Sequence, residues 1–239
     1  MTRTPAARTF DVRHVQLARA ASAAIAAVMV TFSPDHSAAV GLSIFSGFVL
    51  VNALVLLVAA WLVYPSGQRW PAVLLGVLSV AAGMAGGVVP LRSVTTFFVL
   101  VIAWALTTGL VETIAGARSL REARRLQPPA EPARTESRDA LVIGVLTLVL
   151  GLALLLVPAQ YALQYRVEDA NATFTLTGII LAVGIFGAYA AIVAVYLGIA
   201  GFSPRKRQPV TTESAEATAP ATARPAEPTR TTNDERGVS

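Results

Sequence analysis

Cysteine is absent from the 239 residues, and histidine occurs twice, at His14 and His36. The first absence excludes disulfides, thiolate metal sites, a cysteine nucleophile and an acylated-cysteine anchor. The second leaves almost nothing for a histidine-based metal site. Charge is scarce as well: 14% of the residues are Asp, Glu, Lys or Arg, against about a quarter in a soluble domain, whereas 54% are hydrophobic and the mean hydropathy is +0.61. Glycine-rich phosphate loops, a Ser/His/Asp set, HExxH and paired carboxylates are also missing. The composition is that of a membrane protein, and its reactive groups suggest neither an enzyme nor a bound cofactor.

What the chain has instead is apolar runs, at residues 15–32, 38–64, 71–89, 93–117, 140–157 and 174–202. Each is read as a transmembrane helix. The expected fold is all-α integral membrane, six helices arranged as three two-helix units. A basic arm precedes them (1–14), an Arg-rich and Pro-broken linker separates the fourth from the fifth (118–139), and a Thr/Ala/Pro/Glu tail (203–239) has too little apolar surface to fold. The first run is the weakest. Arg19 interrupts it, and the 13 residues from Ala20 to Phe32 fall short of the roughly 20 needed to cross about 30 Å of hydrocarbon. A signal peptide therefore competes with a span there, although Arg19 can snorkel toward the interface.

Two stretches are alike. Gly76-Val-Leu-Ser-Val-Ala-Ala-Gly-Met-Ala-Gly-Gly-Val-Val-Pro90 returns 68 residues later as Gly144-Val-Leu-Thr-Leu-Val-Leu-Gly-Leu-Ala-Leu-Leu-Leu-Val-Pro158. Glycines seven apart share a helix face, so Gly76 with Gly83, and Gly144 with Gly151, are expected to face other helices, with Leu148 and Leu155 toward lipid. Gly83-x-x-x-Gly87, Ser43-x-x-x-Gly47 and Gly184-x-x-x-Ala188 are small-xxx-small patterns, read as contacts within the bundle. Gly47, Gly109 and Gly184 are candidates for equivalent places in the second helix of each unit.

Polar groups inside the runs are few. Of the 14 acidic residues only Glu112 lies within a long apolar run, about 9 Å inward of Arg118 at the helical rise. Such a carboxylate needs a partner, water or a proton. It is either a proton-titrating or cation-contacting site, or a structural partner of Arg19, Arg69 or Arg121. Trp104, Thr108 and Glu112 recur every four residues and share a face. Asn52 lies near the middle of the second run, where its amide needs a hydrogen-bond partner or contacts a substrate.

The stretch Gly144-Val-Leu-Thr-Leu-Val-Leu-Gly151 ending in Val157-Pro158, together with Ile102-Ala-Trp-Ala-Leu-Thr-Thr-Gly-Leu-Val-Glu112, resembles the HdeD-like acid-resistance membrane protein family over about residues 71–202. The resemblance implies a small bacterial inner-membrane protein of two-helix repeats associated with acid or envelope stress. It transfers no catalytic residues. The competing expectation is a small transporter or channel in which Glu112 and Asn52 line a polar path.

Of the 19 Lys and Arg residues, 17 fall on the side of the two termini and only Arg92 and Arg166 on the other. By the positive-inside rule both termini are cytoplasmic. The pI of 10.2 is therefore read as a topology signal and not as a nucleic-acid footprint. The expected partner is the lipid bilayer; homo-oligomers and membrane-protein partners are left open. A reporter active only outside the cytoplasm, fused after Ser239, should be silent, and strong activity there would refute this orientation.

Overall fold

The computed structural model describes residues 11–64, 67, 69–125, 131–167 and 172–203. The helices are α1 Val12–Phe32, α2 Ala38–Leu62, α3 Trp70–Gly87, α4 Val94–Arg125, α5 Glu131–Leu156 and α6 Gly178–Phe202. A 3-10 turn, Val89–Leu91, joins α3 to α4. Between α5 and α6 lies an antiparallel hairpin, β1 Ala162–Val167 with β2 Ala172–Thr177, in which Ala162 pairs with Thr177. All six helices are long and apolar enough to cross a membrane, and the chain is a multi-pass membrane protein. The end of the bundle where α1 begins is here the termini end, and the opposite end is the hairpin end.

Local chemistry sets several helix starts. Asp11 caps α1, accepting from the Val12 amide, while its own amide donates to His14 Nδ1. Ser37 caps α2 and Ser93 caps α4 through the amides of Val40 and Thr96. Pro71 sits in the first turn of α3, where its missing N–H is harmless. At the termini end Arg69 donates from Nε to the Tyr64 carbonyl and lies 5.3 Å from the Trp61 ring centroid, tying the α2–α3 turn.

Each helix packs on its neighbours in the chain, and α6 returns to α1, so the six close into a ring. The contacts alternate in extent. α2 with α3, α4 with α5 and α6 with α1 pack heavily, whereas α1 with α2, α3 with α4 and α5 with α6 pack lightly. The strongest pairing thus joins the second helix of one unit to the first helix of the next, and not the two helices within a unit.

Burial repeats with the same threefold logic. Along α3 the buried positions Ala72, Leu75, Gly76, Ser79, Ala82, Gly83 and Gly86 recur 68 residues on in α5, where Ala140 is half-buried and Ile143, Gly144, Thr147, Leu150, Gly151 and Leu154 are buried. They also recur 56 residues earlier in α1, as Gln16, Arg19, Ala20, Ala23, Ala26, Ala27 and Val30, with Arg19 half-buried. In the second helices, Phe45, Phe48, Val49, Asn52 and Leu56 of α2 correspond to Val101, Trp104, Ala105, Thr108 and Glu112 of α4 at the same offset of 56. The α6 counterparts, 85 residues further on, are Phe186, Tyr189, Ala190, Val193 and Leu197. All of these second-helix positions are buried. The sequence resemblance linked only the third and fifth helices; the burial pattern brings all three units into register.

The glycine stripe faces protein. A Cβ on Gly76 or Gly83 would meet Leu57 or Leu50 of α2, at 2.7 and 2.5 Å. On Gly151 it would meet Leu106 of α4 at 2.8 Å, and on Gly144 the Thr113 amide nitrogen at 2.5 Å. Gly109 and Gly116 of α4 face the α5 backbone in return. In this way α3 lies on α2 as α5 lies on α4.

Several expectations are corrected. Gly87 closes α3, and Gly47 and Gly184 lie on outward faces; none has an atom within 4 Å of where a Cβ would be, so they do not pack helices within the bundle. Gly109 is not their counterpart, since it meets α5. Leu148 is not lipid-facing: its amide nitrogen and Cγ lie 2.8 and 3.0 Å from where a Cβ on Gly109 would stand, so it packs against α4. Leu155 is exposed as expected. Most of the 118–139 linker is helix, because Ser119–Arg125 and Ala133–Asp139 are charged but good helix formers, and charge forbids hydrocarbon without forbidding a helix. The sixth helix starts at Gly178 and not at Phe174, since alternating Thr-Phe-Thr-Leu-Thr has strand periodicity and forms β2. The basic arm ends at Asp11, where α1 begins one turn earlier than expected. Residues 1–10, Pro128 and Pro129, Glu168 and Asp169, the Arg205-Lys206-Arg207 cluster and the tail from 204 lie outside the described residues.

Gly144→Ala should destabilise the bundle by about 1 to 3 kcal/mol, the usual cost of overpacking, because backbone cannot step aside. Gly184→Ala, facing open space, should be neutral or gain up to about 1 kcal/mol of helix propensity. Thermal aggregation in detergent reads both; equal melting would show that the α4–α5 approach is not tight.

Candidate functional site

The second helices put one aromatic per unit at equivalent places: Phe48, Trp104 and Tyr189. With Phe45 and Phe186 they make an edge-on cluster, with Phe45 5.3 Å from Trp104 and 5.8 Å from Phe186, and Phe48 6.1 Å from Trp104 and 6.5 Å from Tyr189. Two of the aromatics carry a polar handle, and each finds a hydroxyl on the first helix of its own unit. Trp104 Nε1 donates to Ser79 Oγ at 3.1 Å, and Tyr189 OH shares a bond with Thr147 Oγ1 at 2.9 Å. Ser79 and Thr147 are themselves counterparts at the offset of 68. Phe48 has no handle to satisfy, and its counterpart hydroxyl is replaced by Ala23.

Asn52 lies one turn toward the termini end. Its Nδ2 donates to Ser22 Oγ of α1 and to the Phe48 carbonyl, both at 2.9 Å. The Thr108 hydroxyl donates to the Trp104 carbonyl of its own helix at 2.6 Å. A turn further on, Glu112 is buried and meets Arg19, Nη1 to Oε1, at 2.9 Å. Of the three candidate arginines Arg19 is therefore the partner, and it turns inward to Glu112 instead of snorkelling. At 1.5 Å per residue Arg19 lies about 10 Å from the start of α1, and Glu112 about 20 Å from the end of α4. The guanidinium is incompletely paired: Arg19 Nε is buried with no hydrogen-bond partner, and Glu112 Oε2 makes no hydrogen bond among the described residues.

A cavity of about 460 Å³ runs from the termini end down to this pair. Its floor is a single layer of equivalent positions from all six helices. The first helices contribute Arg19, Leu75 and Ile143, and the second helices Leu56, Glu112 and Leu197. Four of the six are leucine or isoleucine; the other two are the ion pair. Nearer the mouth lie Tyr64, Trp70, Arg118, Glu122 and Glu136. Below the floor a chamber of about 20 Å³ is lined by Asn52, Ser79, Thr108, Thr147, Trp104 and Tyr189 as well as by Arg19 and Glu112. That is room for about one water. The aromatic cluster closes it toward the hairpin end.

All four intramembrane polar candidates, Glu112, Asn52, Thr108 and Trp104, thus line one small chamber. Sequence reasoning missed a second polar tie. Asp139 was assigned to the linker, yet it is buried in α5 and accepts from Gln16 Nε2 of α1 at 2.8 Å and from Tyr196 OH of α6 at 3.0 Å. The available signal was helical spacing: Asp139, Ile143 and Thr147 fall on one face. Among the described residues, no cluster of His, Asp or Glu could hold a metal ion. Compared with family models, curated proteins and solved structures, the chain matches none.

Single and double substitutions separate pairing from packing. Arg19→Leu leaves Glu112 buried without its partner and should cost about 1 to 3 kcal/mol, less than the roughly 3 to 5 for a fully buried pair, because the Arg19 side chain is 17% exposed. Arg19→Leu with Glu112→Leu completes the leucine layer of the other units and should melt within about 1 kcal/mol of the parent. A double variant less stable than Arg19→Leu alone would show that the pair holds the bundle together.

Proposed function

We propose that the chain is a non-enzymatic protein of the bacterial cytoplasmic membrane, with both termini in the cytoplasm, that takes a small polar solute or proton into the bundle from the cytoplasmic side. One observation carries this reading: Glu112 and Asn52 line one shared chamber, and the Arg19–Glu112 pair that borders it also forms part of the floor of the larger cavity. The asymmetry of the bundle supports it further, since a cavity of a size usual for small-molecule sites lies toward the termini end, and interlocking aromatic rings lie toward the other. A carrier in one of its two access states has that shape.

The orientation rests on the basic residues that gather at the termini end. An HdeD-like role in acid or envelope stress rests on the resemblance of residues 71–202, and the three-unit repeat of burial is in keeping with a family built of two-helix repeats. Proton entry and acid tolerance are linked physically, because any protein offering a polar route through the bilayer alters the proton leak.

Cells with and without the gene should differ in survival at acid external pH and in proton flux followed by a cytoplasmic pH indicator. Glu112→Gln should shift flux toward that of cells lacking the gene. Equal survival and equal flux would remove both the stress role and the passage reading.

A further inference from the structure

The floor of the larger cavity carries an inference about what enters it, and this rests on the passage reading above. The fold uses leucine or isoleucine at four of six equivalent floor positions and an arginine and a glutamate at the other two. Packing alone is served by Leu75 and Ile143 at the place of Arg19, and by Leu56 and Leu197 at the place of Glu112. The pair is also joined by a single bond, Nη1 to Oε1 at 2.9 Å, although arginine and carboxylate can form two parallel bonds. Of the guanidinium nitrogens only Nη1 bonds Glu112, and Oε2 of Glu112 carries no hydrogen bond among the described residues; Nε is also unpartnered but is shut off from the cavity.

We propose that this floor binds a small zwitterion with an apolar side group, of the α-amino acid class. Its carboxylate meets the spare donors of Arg19, its ammonium meets Glu112 Oε2, and its side group lies on Leu56, Leu75, Ile143 and Leu197. A lone anion beside Arg19 would be repelled by the Glu112 carboxylate, and a lone cation beside Glu112 by the guanidinium. A zwitterion answers both charges, so the buried site stays neutral with every charge opposed, the condition under which burying ions is tolerated. The aliphatic part then gains by covering apolar wall. A volume of about 460 Å³ accommodates such a molecule with accompanying water.

The test uses purified full-length protein in detergent and three probes of one shape: L-leucine, isovalerate, which lacks the ammonium, and isoamylamine, which lacks the carboxylate. Calorimetric titration should show leucine binding at least tenfold tighter than either of the others. The Arg19→Leu/Glu112→Leu variant should remain folded and lose leucine binding by tenfold or more. No binding of leucine at millimolar concentration, equal binding of all three probes, or a folded double variant that still binds as the parent does would overturn the proposal. The ranking of probes is read on the parent and so decides the matter even if the double variant does not fold. Binding is measured without a membrane gradient, so a negative result leaves the passage reading standing, and an absence of flux leaves the binding result standing.

Discussion

Helices in hydrocarbon gain nothing by hiding leucine from their surroundings, because lipid tails are as apolar as leucine. What can hold six of them together is close approach of backbones, and the rest of this structure depends on where glycine allows it. The tightest place is the α4–α5 crossing. Gly109 and Gly116 on one helix and Gly144 on the other bring main-chain atoms to within 2.5 to 3.0 Å of where a Cβ would stand. The α2–α3 pair repeats the device with Gly76 and Gly83 against leucine side chains. The α6–α1 pair moves it to the other partner, since Gly187 and Gly201 of α6 receive Val30 and Leu17 of α1. Alanine at Ala20 and Ala27 of α1 stands where α3 and α5 carry glycine.

That arrangement explains why the first helix is stable despite its weak sequence. Its alanines would bind lipid poorly, but they are an asset against another helix because they let α6 come near. Ala23, Ala26 and Val30 are almost completely covered. The outward face carries the larger residues, Ile25, Val28, Met29 and Phe32, which are exposed among the described residues and suit a hydrocarbon surround. Arg19, the residue that made the run look too short, is the one neutralised by Glu112.

Six spans, their order and the glycine faces of the third and fifth helices were legible in the sequence because each rests on a local pattern: run length, charge gaps and a seven-residue spacing. The relation of the first unit to the others was not legible. It resides in burial and not in residue identity, as Asn52 against Thr108 and Leu56 against Glu112 make plain, and burial depends on neighbours distant in the chain, such as Gly187 against Val30 and Gly201 against Leu17. Gly47, Gly87 and Gly184 were misread for the same reason. Small-xxx-small spacing places two small residues on a common face and says nothing about which way that face turns. The hairpin was overlooked because Thr173 to Thr177 abut an apolar run, and run length was allowed to outweigh their alternation. Of the candidate site, Glu112, Asn52, Thr108 and Trp104 were identified because a polar group amid apolar ones stands out. Asp139 was not, because it lies where charge is already expected.

The ion pair is the clearest break in the threefold pattern. A charged side chain within a span costs about 2.5 to 3.5 kcal/mol even on insertion scales that allow snorkelling, and a buried pair often does no better than apolar residues of similar volume. The protein itself supplies the apolar alternative at Leu56, Leu75, Ile143 and Leu197. Stability therefore gives no reason to keep charge at Arg19 and Glu112. Topology gives none either, since the remaining arginines outside the spans already set the orientation. The pair also does not stand alone: the chamber beneath it has a threonine or serine hydroxyl from each of α3, α4 and α5, two of which satisfy the buried polar atoms of Trp104 and Tyr189. The polar groups of all these helices thus gather in one small chamber directly beneath the ion pair, along the axis of an otherwise apolar bundle.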